Sequence, residues 1–268
     1  MNKVYTKQYR VLIFETDFGG KAHLLTLLNY LQDAAAEQAA KKDLGMEGLI
    51  QKKLAWLLSR YHVKVSHYPG ASERLEVSTW PSGKKGIFAL RDFEIKDQEG
   101  RCVLTATSSW ILFDLAKKQP ARLDDFLPDN LILAKRALSD DFPSFPQLKK
   151  VEREVGFRVL MKDLDFNRHV NNIVYIHWAL EAVPPDILNS KRPIDIEVSY
   201  KAEAFYGEEI VSKVERKDAE TAVGFLHQIV NKNTGIELAR LQTVWGTPSG
   251  GRGSGGRSPK YHPFRFKM

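Results

Sequence analysis

Cysteine is nearly absent from this sequence, since Cys102 is the one residue of its type among 268. An internal disulfide and a cysteine-rich metal site are therefore excluded. The neighbours of Cys102 predict a strand, in which we expect a small buried side chain rather than a nucleophile. Also missing are an apolar run of about 20 residues, which a membrane span requires, and a secretory signal at the start. We therefore expect a soluble, cytoplasmic protein of bacterial type, with no membrane partner.

Acidic residues are missing from the C-terminal end, where five basic residues and no Asp or Glu follow Trp245. The formal charge of the chain is +7, and removing these five residues leaves +2 on the remainder. So small a charge does not indicate a nucleic-acid partner, although an acidic protein could still bind. The segment 248–268 is rich in Gly, Ser and Arg, and we expect a disordered basic tail there.

The sequence contains an internal duplication, which is visible in the order of its elements. In each half an extended segment, 9–16 or 156–161, leads to an Asp-Phe pair and then to a helical pattern. The predicted helices are 22–42 and 172–182, and Pro184-Pro185 ends the second. Superposing Asp17-Phe18 on Asp165-Phe166 also places Tyr30 on Trp178.

Alternating patterns and glycine-containing turns predict four or five antiparallel strands after each helix. The main corresponding segments are 54–65 with 194–201, 73–80 with 208–215, 87–95 with 223–231, and 101–113 with 236–245. Gly100 and Trp110 match Gly235 and Trp245 at one common offset, and Tyr68-Pro-Gly is paired with Phe205-Tyr-Gly. The shared order, more than any single match, indicates a duplication.

Both helices are apolar on nearly every side, so each must be buried, here by a sheet that curls around it. A sheet wrapped around one helix is the hot-dog arrangement. We therefore expect the α+β class, as a tandem (double) hot dog. The predicted parts are a first hot dog (1–122), a proline-containing linker with one short helix (123–150), a second hot dog (151–247) and the tail (248–268).

Polar groups are concentrated before the second helix and not before the first. Asp165, Asn167 and His169 alternate in an extended loop, which points their side chains the same way. The helix start that follows adds backbone N–H donors suited to a polarised carbonyl. Acyl transfer to water needs such parts, namely a base, an oriented imidazole and donors for the oxyanion. Taken singly, Asp165 and Asn167 could be turn or cap residues and His169 a structural histidine.

The segment from Asp163 to Glu181, DLDFNRHVNNIVYIHWALE, resembles the signature of acyl-acyl-carrier-protein (acyl-ACP) thioesterases of the plant FatA/FatB and bacterial type. The resemblance, which agrees with the tandem layout over about residues 1–247, implies the release of free fatty acid from acyl-ACP. It places Asp165, Asn167 and His169 at the family's catalytic loop positions. It also assigns a catalytic carboxylate to Glu203, within Tyr200-Lys-Ala-Glu-Ala204, where the plant pattern has a cysteine in place of Ala204. A thiol mechanism is therefore excluded at this position, and without the resemblance Glu203 would be taken for a solvated carboxylate.

The expected mechanism follows from these residues. Glu203 with His169 activates water, Asp165 orients the network, Asn167 positions water or thioester, and helix N–H groups polarise the carbonyl. No cofactor and no metal is expected. The acyl chain would lie along the first half, and the partner would be an acyl carrier protein bearing a fatty acyl-phosphopantetheine. Arg168, Lys191 and Arg192 could meet that partner, although an ordinary solvated loop explains the last two better.

Other functions remain open on the sequence alone. The nearest is a hot-dog thioesterase that acts on acyl-CoA, and a hot-dog hydratase is a more distant one. A non-catalytic acyl-binding module is an alternative from another class. Chain-length preference and a choice between monomer and homodimer do not follow from the sequence.

Overall fold

The computed structural model describes residues 3–217 and 222–247. The first half has a strand, a long helix, a short helix and four long strands, with one two-residue strand at its end. Their bounds are β1 Tyr5–Arg10, α1 Leu24–Ala40, α2 Met46–Gln51, β2 Leu54–Val65, β3 Arg74–Lys85, β4 Phe88–Asp97, β5 Cys102–Asp114 and β6 Gln119–Pro120.

The second half repeats this order with a shorter main helix. Its elements are β7 Arg153–Arg158, α3 Asn172–Glu181, α4 Pro185–Ser190, β8 Arg192–Tyr200, β9 Glu209–Arg216, β10 Val223–Asn231 and β11 Glu237–Gly246. The predicted duplication is therefore present in the order of the elements. Among the described residues, no helix is both long and apolar enough to span a bilayer.

All the strands belong to one antiparallel sheet, in the order β1-β3-β4-β5-β2-β8-β11-β10-β9-β7, and the short β6 pairs with β5 beside this path. The first five strands of this order correspond one by one to the last five read from the other end. The halves meet where β2 pairs with β8, for instance at Val63 and Ile196. Hydrogen bonds thus run without a break from one half to the other.

The two main helices pack into one core that contains side chains of both halves. Leu27, Leu31 and Ile176 are fully buried there, which confirms that the apolar faces of both helices are covered. Replacing such a buried aliphatic side chain by alanine costs about 2–5 kcal/mol of folding free energy. Because the core is shared, a loss in either half weakens the whole.

The linker between the halves has two short 3-10 turns, Leu123–Asp125 and Asp129–Leu131, where a single short helix was predicted. Further along, Arg136 forms an ion pair with the fully buried Asp92 of β4. His62 of β2 lies between two carboxylates, with Nδ1 2.7 Å from Asp140 and Nε2 2.8 Å from Asp195. The linker is therefore held on the sheet by Arg136 at β4 and by Asp140 at the seam between β2 and β8.

Two predicted details differ from the structure. Cys102 does start a strand, but its side chain is exposed because it faces outward at the first residue of β5. The first strand of each half ends earlier than predicted, since the chain turns into short 3-10 segments at Ile13–Glu15 and Met161–Asp163. The apolar residues at 11–14 and 159–161 are of types common in strands, which explains the prediction. The predicted tail, 248–268, lies outside the described residues.

Candidate active site

The loop before α3 is a tight turn built around Asp165. Its Oδ1 accepts hydrogen bonds from the backbone N–H groups of Asn167 (2.8 Å) and His169 (3.2 Å). Between these two residues Arg168 has a φ of 63°, a left-handed conformation that tightens the turn. Asp165 thus holds the backbone of both other candidate residues through its own side chain.

His169 and Glu203 meet beside this turn. The Nδ1 of His169 lies 3.0 Å from Oε1 of Glu203, and the side chains are 34% and 48% exposed. Glu203 is three residues past the end of β8, in the connection to β9, rather than on the strand itself. A backbone bridge between His169 and Phe205 brings the two segments together. The carboxylate and the imidazole are therefore paired and open to water.

Two aromatic side chains that were not among the predicted site residues lie beside this pair. The ring of Phe205 packs edge-on against His169, with centroids 5.2 Å apart. The hydroxyl of Tyr175, on α3, accepts a hydrogen bond from the backbone N–H of Ala204. Burial, together with the charge of Glu203, raises the pKa of Tyr175, so its phenol keeps its proton. Tyr175 lies within the signature segment, but its position in the helical pattern is also that of an ordinary core residue, so the sequence did not indicate a role in the site.

The start of α3 faces the same region. Asn171 caps the helix, and its side chain accepts from the N–H of Ile173 at 3.0 Å. The carbonyl of the next residue, Asn172, accepts a hydrogen bond from Tyr200 of β8. The helix start is thereby fixed to the strand that leads to Glu203. The dipole of α3 places partial positive charge at the helix start, beside the site.

A cavity of about 270 Å³ leads from the start of α3 into the first half. At one end it is lined by side chains of the second half: Asn167, Asn172, Ile173 and Tyr200. From there it follows α1 past Leu28, Gln32, Ala35, Ala36 and Ala39. Of the predicted site residues, Asn167 is the one that lines this cavity, and no contact joins its side chain to Glu203 among the described contacts. The turn around Asp165 nevertheless places His169 only two residues from it.

The corresponding loop of the first half has the same turn but different side chains. Asp17 accepts from the backbone N–H groups of Gly19 (2.8 Å) and Lys21 (3.1 Å), as Asp165 does in its own loop. Lys21 bridges Gly70 where His169 bridges Phe205. This pairing places Tyr68 opposite Glu203, so the sequence match of Tyr68-Pro-Gly to Phe205-Tyr-Gly was wrong by two residues. Gly207 has a left-handed φ of 82°, and its counterpart in the first half is Ser72 with a φ of 69°, so the glycine of Tyr68-Pro-Gly did not mark the register.

Arg192, the first residue of β8, closes this first loop instead of lying in a solvated loop. Its Nε donates to Oδ2 of Asp17 at 3.1 Å, and its guanidinium lies 5.8 Å from the ring centre of Tyr68. A side chain at Gly19 would start only 3.0 Å from Nη2 of Arg192. A residue like Asn167 at this position would require the side chain of Arg192 to shift.

A second group of titratable side chains could hold a metal ion. Ligand atoms of His62, Asp140 and Glu197 lie within 4.8 Å of one another. Both ring nitrogens of His62 already contact carboxylates, and although burial opposes its charge, the hydrogen bond with Asp195 raises its pKa. Burial likewise raises the pKa of Glu197. An imidazolium between carboxylates accounts for this group, and the prediction of no metal stays a prediction.

Comparison with solved structures shows the fold. An acyl-ACP thioesterase from Bacteroides thetaiotaomicron superposes with a TM-score of 0.79 at 24% identity, over 91% of this chain and 98% of that one. The 12:0-ACP thioesterase from Umbellularia californica superposes with a TM-score of 0.81 at 22% identity, over 90% and 93%. The molecule is therefore a double hot-dog protein, which confirms the predicted class.

Family models then identify the kind of double hot dog. The model of the acyl-ACP thioesterase N-terminal domain matches residues 2–130, and that of the C-terminal domain matches residues 147–247. The chain belongs to the acyl-ACP thioesterase family. Oleoyl-acyl carrier protein thioesterase 2 of Arabidopsis thaliana is 25% identical over 90% of this chain and 76% of its own. A palmitoyl-acyl carrier protein thioesterase of Cuphea hookeriana is 24% identical over 92% and 63%.

Proposed function

We propose that this protein hydrolyses fatty acyl-ACP to free fatty acid and ACP, and so ends fatty acid elongation. Membership of the family and the names of the relatives support the substrate. The observation that carries the chemistry is the contact between His169 and Glu203 at the start of α3. A carboxylate that accepts from one imidazole nitrogen leaves the other nitrogen free to accept a proton.

In the proposed reaction Glu203 accepts a hydrogen bond from Nδ1–H of His169 and keeps Nε2 unprotonated. A water molecule gives its proton to Nε2 as its oxygen attacks the thioester carbonyl carbon. The carbon–sulfur bond then breaks, and the proton passes to the leaving thiolate. Asn167 and the N–H groups at the start of α3 stabilise the oxyanion, and Asp165 acts as a positioning residue. The exposure of both groups leaves room for water at this point.

The acyl chain is proposed to lie in the cavity beside α1, so that the first half, 1–122, holds the chain and the second, 151–247, the reacting carbonyl. The cavity supports this division because its apolar walls come from α1 and the first-half strands, while Asn167 and Asn172 lie at its other end. The cytoplasmic location and the choice between monomer and homodimer stay predictions.

Release of free thiol tests the proposal. The protein is incubated with one acyl group carried either by ACP or by CoA, and thiol is measured with a chromogenic disulfide. We expect hydrolysis of acyl-ACP with the higher kcat/KM. A preference for the CoA ester would favour the acyl-CoA thioesterase, and acyl binding without thiol release would favour a non-catalytic module.

A further inference from the structure

The far end of the acyl cavity is positively charged. Lys42 lies in the turn just after α1 and lines the cavity together with Arg91 of β4. Residues 28 to 39 of α1 follow the cavity wall over roughly 16 Å of helical rise, so Lys42 is at the end remote from Asn167. The walls between the two ends are mainly alanine, leucine and aromatic side chains.

Lys42 has no counter-ion in the described parts of the chain, residues 3–217 and 222–247. Its Nζ is buried and has no hydrogen-bond partner among the residues that the structure describes. Burial lowers the pKa of Lys42, and the charges that act on it, those of Arg91 and Lys3, are both positive and lower it further. A buried ammonium without a partner is costly, and an anion in contact with it would remove much of that cost.

Arg91 adds to this charge without neutralising it. Its Nη1 donates to the uncharged oxygens of Gln38 (2.6 Å) and Thr79 (3.1 Å). Burial lowers the pKa of Arg91 to about 10, which still leaves the guanidinium charged at neutral pH. The register of the strands places Phe225 at the equivalent position of the second half, fully buried. The fold itself therefore does not require a cation at this position.

We propose that the cavity selects acyl chains that carry a carboxylate at the end remote from the thioester. The methylene groups would lie along α1, and the terminal carboxylate would contact Lys42 and the guanidinium of Arg91. This inference rests on the proposed thioesterase function and specifies its substrate class. A plain alkyl end would leave the ammonium buried and unpaired, which is the physical basis of the selection.

The first test compares two series of acyl-ACP substrates of equal carbon number, one ending in a methyl group and one in a carboxylate. We expect the carboxylate series to reach a kcat/KM at least about tenfold higher at its best length. Equal or faster hydrolysis of the methyl series at every length would overturn the proposal.

Variants of Lys42 locate the preference. Lys42→Met keeps the length of the side chain without its charge, and we expect it to lose about tenfold of the preference while methyl-ended chains react as well or better. Lys42→Arg should retain the preference. Lys41→Met is the matched control, because Lys41 is exposed on the same turn, and it should behave as the wild type. An unchanged preference in Lys42→Met would contradict the assignment.

Binding separates this inference from the reaction itself. Acyl-pantetheine amides cannot be hydrolysed as thioesters, and their affinities for wild type are measured by titration calorimetry. The carboxylate-ended amide should bind at least about tenfold more tightly than its methyl-ended match. If no acyl-ACP releases thiol, the proposed function fails, yet this comparison still decides the inference. Tighter binding of the methyl-ended amide would overturn it.

Discussion

The two loops that precede the main helices have one backbone and two different uses. Asp17 and Asp165 hold the same turn, with Gly20 and Arg168 at the same left-handed position. In the second loop, however, His169 is left open to water and paired with Glu203, whereas in the first an arginine of the opposite half fills the space. The turn is thus a structural feature of both halves, and the proposed function assigns the reaction to the half whose side chains leave an imidazole open to water.

The two halves also differ in their main helices. The main helix of the first half is longer, α1 having 17 residues and α3 having 10. The cavity follows the longer one, and the paired imidazole lies at the start of the shorter one. In the proposed function, the cavity along α1 and the paired side chains near the start of α3 are the two unlike parts of one site.

Loss of the imidazole should have the largest effect. His169→Ala is expected to lower kcat on acyl-ACP by about 10²–10⁴-fold, because it removes the proposed general base for the attacking water. Lys21→Ala changes the equivalent residue of the first loop and should leave kcat within about threefold of wild type. Steady-state thiol release measures both. A similar loss in the two variants would mean that the loops are not functionally different.

The variant Glu203→Gln should cause the second-largest loss of kcat. The amide is nearly isosteric but cannot hold the imidazole in one tautomer as a carboxylate does, so kcat should fall about 10²-fold with KM little changed. The counterpart, Tyr68→Phe, removes only a hydroxyl that donates to the carbonyl of Pro193 at 2.6 Å. It should lower stability by about 1 kcal/mol without a comparable loss of kcat. Full activity of Glu203→Gln would remove the carboxylate from the mechanism.

A buried histidine of the second half should also make the stability of the protein sensitive to acid, and the first half has no such residue at the matching position. His227 of β10 occupies the position that Phe93 has on β4, and burial lowers its pKa to about 3. Its pKa is depressed in the folded state, so the unfolded chain binds the extra proton below about pH 6.5, and stability falls as the pH is lowered from there toward 3. We expect His227 to contribute a loss of about 1 kcal/mol per pH unit near pH 5.

The variant His227→Phe isolates this contribution, because it places in the second half the residue type that the first half already has. Denaturant unfolding of wild type and variant is measured between pH 7 and pH 4. As the pH is lowered from 7 to 4, the free energy of unfolding of the wild type should fall relative to that of His227→Phe. A constant difference would show that His227 does not stay neutral in the fold.

The smallest effect is expected at the shared turn. Asp165→Asn keeps an oxygen that can accept from the N–H groups of Asn167 and His169, so kcat should fall by less than about threefold. Asp17→Asn keeps its turn as well but loses the charge that pairs with Arg192, which should cost about 1 kcal/mol of stability. A loss of more than 10²-fold in Asp165→Asn would show that its charge, and not only its geometry, serves the reaction.

Much of the fold could be read from the sequence because periodicity depends on local pattern. The strands Leu54–Val65 and Val223–Asn231 have the predicted limits, and the predicted main helices end within two residues of the observed ones. The misplacement of the first strands has a physical reason. The segment Ile13–Glu15 continues an apolar run with β-branched and aromatic residues, which is typical of a strand, so local sequence did not reveal that the chain turns there.

The candidate site was predictable only in part. The sequence shows directly that one loop contains Asp165, Asn167 and His169 at intervals of two residues. The resemblance to the family pointed to Glu203. The contact of His169 with Glu203 depends on the bridge between His169 and Phe205, which joins segments more than thirty residues apart. The engagement of Arg192 with Asp17 was likewise missed, because the two residues come from opposite halves.

The sequence alone determined the duplication, the apolar helices and the concentration of polar residues in one loop, since each is a property of neighbouring residues. Tertiary structure decided which side chains meet: Glu203 with His169, Arg192 with Asp17, and Lys42 with no partner among the described residues. Such contacts depend on how the strands pair across the seam between β2 and β8. No local pattern encodes that pairing, because it is set by the packing of two halves against one shared core.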